Sequence, residues 1–392
     1  MDIIDLMELI ELGEDSKLQF KSNFSSIASL AAEITAFLNS DGGQILIGIS
    51  DEGDIEGLSW EDVNRLNQWV SSTCTNKIEP APMNVKTENV KVEGEKDSIV
   101  MVVRVPPGSN KFYMANGTDA WVKVGADKRK ANREELRRLL QESANLYADE
   151  MPVPGTGLED MDLSLFKDFY KRRTEEDFEQ SEIEFEDLLR SLKLYFHGKL
   201  TLAGLLVFGK EPYVKRPEFI IKAISFVGNT PDGFEYRDSR DIKGNIIKLY
   251  QEGKSFLTSN LRHQQKGQGF NTTGILEIPV IALEEALTNA LLHRNYFLAS
   301  NIRLFIFDNR VEIISPGTLP NTVEVENIKY GMHVERNPLL MSIVRDLKEI
   351  PYRGVGTGVR NILKACKEEG TEVEFIDDDK TQEFKVVFFR SE

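Results

Sequence analysis

Residues 282–294 read ALEEALTNALLHR, and this stretch decides how the C-terminal part of the chain is interpreted. Pro279 is acceptable in a first turn, and the spacing of apolar residues predicts a helix from there to about His293. Glu285, Asn289 and His293 are spaced four residues apart and therefore share one helix face. Such a polar stripe is most often the solvated side of an apolar helix. Chemistry offers a second interpretation, because an amide oxygen beside a carboxylate is suited to holding Mg²⁺ and activating a water next to a bound phosphate.

A glycine-rich loop at 352–359, with the sequence YRGVGTGV, supplies the second half of such a site. Its glycines let backbone N–H groups converge on anionic oxygens, and the helix predicted over Gly354–Lys367 presents its positive end to the same place. A Gly-x-Gly-x-Gly loop alone is also compatible with a bare turn. The loop and the helix stripe together predict a phosphate site, although about 65 residues separate the loop from Asn289.

The paired motifs Glu285-x-x-x-Asn289 and Gly354-Val355-Gly356-Thr357-Gly358 resemble the ATP-binding module of the GHKL superfamily of gyrase, histidine kinases and MutL. They are more similar still to the divergent branch found behind Schlafen-type AlbA-like domains in bacterial and archaeal regulators. Three further segments fit that branch: His293-Arg294-Asn295-Tyr296, Val311–Gly317 and Arg336-Asn337-Pro338. The resemblance implies a C-terminal GHKL-like α/β sandwich that binds ATP and Mg²⁺.

The same resemblance implies the roles of individual residues. Glu285 is then the general base that orients water, Asn289 is the Mg²⁺ ligand and His293 belongs to the nucleotide pocket. The implied phosphate cradle consists of Gly354, Gly356 and Gly358, with Thr357 as a further donor.

One segment departs from the GHKL pattern. Ser315-Pro316-Gly317-Thr318-Leu319 stands where these proteins usually have Asp-x-Gly-x-Gly, whose Asp reads the adenine amino group. The resemblance therefore implies phosphate binding more directly than it implies the identity of the nucleotide or its hydrolysis.

The N-terminal part resembles the Schlafen-type AlbA-like domain over about 130 residues. The resemblance rests on the segment Gly13–Lys21, on a helix ending at Asp41-Gly42-Gly43 that is followed by the strand Ile45–Ile49, and on Trp121–Gly125. It implies an α+β domain that binds nucleic acid, and some members of the family cut RNA with clustered carboxylates.

Binding and cleavage make different demands on this domain. Cleavage needs several carboxylates near divalent metal ions, but the position where nuclease members carry a second Glu is Gln19, a poor Mg²⁺ ligand. Glu14 and Asp51 remain as candidate nuclease carboxylates, although two such residues are more often found in surface turns. Binding without cleavage fits better, and these are the candidate phosphate contacts: Lys21, Lys123, Lys128, Arg129, Lys130 and Arg133. Charge alone is equally compatible with a solvated helix face.

Composition and pattern divide the chain into three predicted parts: a nucleic-acid-binding domain at 1–150, a connector at 151–270 and a nucleotide-binding domain at 271–392. The linker Met151–Gly157 marks the first boundary, because its Pro and Gly residues stop both helices and strands. In the connector, Leu200–Phe208 and Phe219–Phe226 are predicted as strands. The predicted fold class is α+β multidomain, with a mixed α/β connector.

Composition excludes several classes of protein. The 392 residues are 41% hydrophobic and carry a net charge of −16, which argues against a nucleic-acid coat that works by bulk positive charge. Cys74 and Cys366 lie far apart, so neither a disulfide framework nor a thiolate zinc site is indicated. There is no apolar run of about 18 residues and no secretory signal pattern, so we expect a cytoplasmic protein without a membrane span.

These features predict a regulator that binds nucleic acid, DNA rather than RNA, and that uses Mg-ATP as a switch, a combination suited to transcription regulation. Homodimerisation is consistent with the resemblance, because GHKL modules often dimerise when loaded. The alternative is a nucleotide-gated, metal-dependent nuclease, for example in phage defence. A third hypothesis is an interaction module in which both sites are relics.

Overall fold

The computed structural model describes residues 3–92, 98–108, 111–142, 146–180, 183–231, 235–264, 274–320, 323–332, 334–354 and 356–390. The chain forms two compact units, Met1–Leu146 and Tyr147–Glu392. Each unit has helices and sheets of its own, which confirms the predicted α+β multidomain class. In the described ranges, no helix is both long and apolar enough to cross a membrane.

The first unit is a helix-covered sheet. Its elements are α1 (Ile3–Leu12), β1 (Leu18–Lys21), α2 (Ile27–Leu38), β2 (Gly43–Ile47), α3 (Trp60–Asn76), β3 (Ile78–Glu79), β4 (Lys86–Val92), β5 (Ser98–Val105), β6 (Met114–Ala115), β7 (Trp121–Val124), β8 (Asp127–Lys130) and α4 (Arg133–Glu142). The main sheet has the order β1-β2-β5-β4, with β1 and β2 parallel and the other neighbours antiparallel. Side chains alternate across it, so Ile45 and Ile47 pack with α2 while Leu46 packs with Leu6 of α1.

Asn132 followed three residues later by Glu135 predicts a capping box, and α4 has it. Asn132 Oδ1 accepts from the Glu135 N–H and Glu135 Oε2 accepts from the Asn132 N–H, both at 2.9 Å. The helix α3 has no counterpart among the predicted elements. Its signal was the spacing of Val63, Leu66 and Val70, which are buried along one face of a largely polar helix.

The second unit contains the remaining elements. They are α5 (Leu163–Thr174), α6 (Phe185–Ser191), β9 (Tyr195–Phe196), β10 (Lys199–Leu200), α7 (Leu202–Phe208), α8 (Pro212–Lys215), β11 (Ile221–Phe226), β12 (Tyr236–Ile242), α9 (Ile246–Ser259), β13 (His263–Gln264), β14 (Ile275–Leu276), α10 (Val280–His293), β15 (Ile302–Ile306), β16 (Arg310–Pro316), α11 (Val325–Lys329), α12 (Pro338–Val344), α13 (Gly358–Glu369), β17 (Val373–Asp378) and β18 (Glu383–Phe389).

A six-stranded sheet organises this unit, in the order β12-β11-β15-β16-β18-β17. β11 and β15 are parallel, and the other neighbours are antiparallel. The helices α9 and α10 share one buried core with this sheet. Strands from 151–270 and from 271–392 therefore lie in the same sheet, while the boundaries of the three predicted domains stay a prediction.

The prediction of a strand over Leu200–Phe208 is wrong. Only Lys199–Leu200 pairs as a strand, and Leu202–Phe208 forms the helix α7, which begins at Thr201 as N-cap. All residues of α7 are buried. A short helix that is apolar on every side gives the same continuous apolar run as a buried strand, so periodicity cannot separate the two.

Candidate functional site

The helix α10 carries the polar stripe that the sequence singles out. Its apolar side chains are largely buried, whereas Glu285, Asn289 and His293 are half-buried and line a cavity of about 740 Å³. The glycine-rich loop before α13 lines the same cavity. The structure thus brings together all residues predicted for the nucleotide site: Glu285, Asn289, His293, Gly354, Gly356, Thr357 and Gly358.

Gly358, the first residue of α13, lies directly against the polar stripe. A Cβ atom at this position would lie 2.9 Å from Glu285 Oε2 and 3.2 Å from Asn289 Nδ2. Ordinary contacts are about 3.5–4.0 Å, so a larger residue here would push the Glu285 carboxylate or the Asn289 amide aside. The N-terminal end of α13 therefore lies close to Glu285 and Asn289, and the positive end of a helix stabilises an anion.

The loop that leads into α13 has a backbone suited to glycine. Gly354 and Gly356 have φ values of 69° and 66°, a left-handed conformation that costs other residues about 1–2 kcal/mol. The Thr357 side chain makes no capping hydrogen bond to α13. Burial raises the pKa of Tyr352, which also lines the cavity, to about 12, so its phenol keeps its proton at neutral pH.

The sheet gives the cavity a largely apolar wall. Five of its side chains line the cavity: Ile313 and Ser315 on β16, Phe375 on β17, and Phe384 and Val386 on β18. The Ser315 hydroxyl donates to the Ala290 carbonyl oxygen at 3.2 Å. Ser315 stands at the position where the resemblance implies an adenine-reading Asp, so the cavity wall carries a hydroxyl group there instead of a carboxylate.

The segment before α12 holds the end of α10. Asn337 is fully buried, and its Nδ2 donates at 2.9 and 3.0 Å to two backbone carbonyls at that end. Arg336 donates to the carbonyl oxygens of His293 and Thr318, at 3.4 and 2.7 Å. These bonds tie His293 to the loop that follows β16, which explains why Arg and Asn stand together ahead of this helix.

Asn361 is a cavity residue that the sequence motifs do not indicate. Its Nδ2 donates to Glu285 Oε1 at 2.9 Å, and the residue lines the cavity. The available signal was its position on α13, one turn after Gly358, since residues at i and i+3 lie on neighbouring parts of a helix surface.

The predicted phosphate contacts of the first unit are largely engaged with carboxylates. The pairs are Lys21 with Asp51 at 3.4 Å, Lys128 with Glu33 at 2.6 Å, Arg129 with Glu135 at 2.6 Å and Lys130 with Asp119 at 3.0 Å. Arg133 is exposed. The side chains of Arg129 and Lys130 are 46% and 62% exposed, and exposed pairs contribute only about 0–1 kcal/mol, so a phosphate can replace their partners.

Lys123 differs from this group. Its side chain is 1% exposed and lies 3.6 Å from Glu33, which is equally buried. The ammonium donates to Gln19 Oε1 and to the Ala126 carbonyl, both at 2.5 Å. Burial lowers the pKa of Lys123, and the charge of Glu33 opposes this effect. An ammonium held in this way does not face a phosphate, so the expectation of a direct contact by Lys123 is corrected to a role in the core.

The two candidate nuclease carboxylates lie in different surroundings. Glu14 Oε1 accepts from the Phe20 N–H at 2.6 Å and from Gln19 Nε2, whereas Asp51 is 75% exposed beside Lys21. Within the described part of the chain, no three His, Cys, Asp or Glu residues are grouped so that they could hold a metal ion. Gln19 joins Glu14 to Lys123, which gives the amide a structural role.

Three family models match separate parts of this chain. Residues 14–132 match the family model described as "Schlafen, AlbA_2", and residues 299–388 match the one described as "Putative ATP-dependent DNA helicase recG C-terminal". Residues 137–221 match a "Domain of unknown function (DUF8451)". No curated protein matches the sequence.

The first two matches confirm the predicted architecture, an N-terminal Schlafen AlbA-like domain and a C-terminal ATPase-like domain. The second match includes the glycine-rich loop but begins after α10. The two domains together indicate a nucleic-acid-associated, ATP-dependent function.

One solved structure is similar along most of the chain. The crystal structure of the DIP2311 protein from Corynebacterium diphtheriae aligns with a TM-score of 0.46 and 19% identity, over 99% of this chain and 80% of the other. A likeness of this size carries no inference about function.

Proposed function

We propose that this protein is a DNA-binding regulator that contacts nucleic acid through its first unit, and that Mg-ATP bound in the cavity of its second unit acts as the switch. One observation carries the proposal: the carboxylate of Glu285 and the amide of Asn289 meet the glycine-rich loop at Gly358 in a single cavity. The Schlafen AlbA-like and ATPase-like matches support the pairing of the two activities.

The residues present fit a nucleotide. The cavity volume of about 740 Å³ lies within the range of about 300–1,000 Å³ that is usual for small-molecule sites. Gly358 lets the N-terminal end of α13 approach Glu285 and Asn289 closely, and such a helix end favours a bound phosphate. The apolar wall with Phe375 and Phe384 suits a flat base.

Each predicted residue then has a defined task. Asn289 would hold Mg²⁺, and the backbone of Gly354, Gly356 and Gly358, with the Thr357 hydroxyl, would hold phosphate oxygens. When bound, the ion supplies positive charge that offsets the negative charge of the phosphates. Glu285 orients a water and accepts its proton.

The switch requires that the nucleotide bind one state of the protein better than another. A hundredfold difference in affinity between two states moves their equilibrium by about 2.7 kcal/mol, and equal affinity moves nothing. The nucleic-acid affinity of the protein is therefore expected to differ with and without Mg-ATP. Arg129, Lys130 and Arg133 are the most accessible of the proposed phosphate contacts.

Calorimetric titration of the full chain with ATP, ADP and GTP, with and without Mg²⁺, tests the nucleotide site. We expect Mg²⁺-dependent binding of ATP that Asn289→Ala removes while the melting temperature is unchanged. Asn309→Ala is the matched control, because this exposed Asn does not line the cavity. Absence of binding by any nucleotide, or equal loss in both variants, would contradict the proposal.

The nuclease alternative has weaker support from the first unit, because Glu14 is bound to a backbone N–H and to Gln19. It predicts Mg²⁺- or Mn²⁺-dependent cutting of DNA or RNA that Glu14→Ala abolishes. Cleavage by the wild type that is lost in this variant would favour the nuclease over the regulator.

A further inference from the structure

The two oxygens of the Glu285 carboxylate have different neighbours. Asn361 donates from Nδ2 to Oε1 at 2.9 Å, a normal length for a hydrogen bond. Oε2 is the atom closest to the place where Gly358 lacks a side chain, 2.9 Å from the ideal Cβ position. One oxygen is thus bound by Asn361, and the other lies beside the first residue of α13, at the wall of the cavity.

This asymmetry matters for a general base. Such a base must keep one acceptor oxygen directed at the water from which it takes the proton, and a third group commonly orients it. A carboxylate on a flexible glutamate side chain turns freely unless a donor fixes it. Asn361 is suited to this task because an amide orients the carboxylate without adding a positive charge beside it.

Geometry also explains why the donor comes from α13. Gly358 and Asn361 are three residues apart on this helix, so the residue that lets α13 approach Glu285 and the residue that holds the base lie on the same helix surface. Any movement of α13 would therefore shift the phosphate cradle and the donor to Glu285 together.

Resting on the nucleotide site proposed above, we infer that Asn361 is a positioning residue that makes Glu285 a competent base, so that the protein hydrolyses Mg-ATP and does not merely bind it. In the reaction, the oxygen of a water forms a bond to the γ-phosphorus and the water loses a proton to Glu285 Oε2. The bond from the γ-phosphorus to the bridging oxygen breaks, and that oxygen leaves with its electron pair on ADP. The products are ADP and inorganic phosphate, and the proton passes from Glu285 to solvent.

The test separates binding from turnover in the full-length protein. Calorimetry gives the Kd for Mg-ATP, and single-turnover release of labelled phosphate gives the hydrolysis rate. The variants are Asn361→Ala, the conservative Asn361→Gln, Glu285→Gln and the double variant Asn361→Ala with Glu285→Gln. Lys367→Ala is the matched control, because this residue is exposed on the same helix and does not line the cavity.

We expect Asn361→Ala to lower the hydrolysis rate about 10- to 100-fold, the size of effect that a misplaced catalytic group produces, and to leave the Kd within about threefold. Asn361→Gln should recover part of the rate, and Lys367→Ala should behave as the wild type. In the Glu285→Gln background, Asn361→Ala should cause no further loss, because its effect acts through Glu285.

Three results would overturn the inference alone. The first is a wild-type hydrolysis rate in Asn361→Ala, and the second is a loss of ATP affinity equal to the loss of rate. The third is a wild type that binds Mg-ATP without hydrolysing it, which leaves the proposed switch standing. A wild type that binds no nucleotide refutes the proposed function and this inference with it.

Discussion

Adding one methyl group at Gly358 tests the geometry of the cavity most directly. In Gly358→Ala the new Cβ would lie 2.9 Å from Glu285 Oε2 and 3.2 Å from Asn289 Nδ2. Contacts of about 3.5 Å or more are normal, so the Glu285 carboxylate or the start of α13 must move by about 0.5 Å. The backbone itself is not strained, because Gly358 is not among the residues with positive φ.

The effect on stability should be small, because two terms oppose each other. Losing the bond from Asn361 to the Glu285 carboxylate costs about 1.5–3 kcal/mol, and alanine regains up to about 1 kcal/mol in a helix. A net loss of about 1 kcal/mol lowers the melting temperature of a unit of this size by about 2–4 °C.

The effect on ligand binding should be larger. The displaced loop loses about one charge-assisted hydrogen bond to phosphate, so the Kd for Mg-ATP should rise about 10- to 100-fold. Calorimetric titration gives the Kd, and thermal melting gives the stability. If Gly358→Ala binds Mg-ATP with the wild-type Kd, the phosphate does not lie at the start of α13 and the reasoning fails.

Three further predictions concern other parts of the molecule. Gly354→Ala and Gly370→Ala place alanine at similar φ values of 69° and 72°, so each variant should lose about 1–2 kcal/mol of stability. Only Gly354→Ala should weaken Mg-ATP binding in titrations, because only Gly354 lines the cavity. Burial raises the pKa of Asp149 from 3.8 to about 6. The folded second unit therefore binds this proton more tightly than the unfolded chain does, which stabilises the unit at low pH by roughly 3 kcal/mol. This contribution is lost as the pH rises through about 6. In denaturant melts, the stability of Asp149→Asn relative to the wild type should therefore increase from pH 4 to pH 7, and a constant difference would contradict this. Replacing Arg129 and Lys130 by Ala should flatten the dependence of log DNA affinity on log salt by about 0.9 per lost phosphate contact, and an unchanged slope would place the interface elsewhere.

Sequence patterns locate most of the secondary structure around the cavity. The helix carrying Glu285 lies close to its predicted bounds. The strands β15, β16 and β18 lie close to 301–307, 310–314 and 383–389, where apolar runs predict strands. The local signals are the apolar periodicity of the helix and the polar turn at Asp308-Asn309 between the first two strands. The apolar segment that forms α7 was misassigned because it is buried on all sides and has no contrasting face.

The basic residues between Lys123 and Arg133 show what a count of charges in the sequence cannot predict. In the sequence, Lys123 and Lys130 are equivalent cations. The fold buries Lys123 against Glu33 of α2 and leaves Lys130 at the surface, because β7 and β8 form a hairpin whose residues differ in depth. Depth depends on which element packs over a strand, and the local sequence does not encode it.

For the cavity, the sequence alone determined which residue types are present and in what order: a carboxylate and an amide one helical turn apart, and three glycines ahead of a second helix. Only the tertiary structure decided that these segments meet, that Gly358 leaves room at the Glu285 carboxylate and that Asn361 holds one of its oxygens. The physical reason is the distance along the chain over which each kind of contact acts. Spacing along one helix fixes a face within a few residues, whereas the approach of two helices depends on how their side chains pack with the sheet.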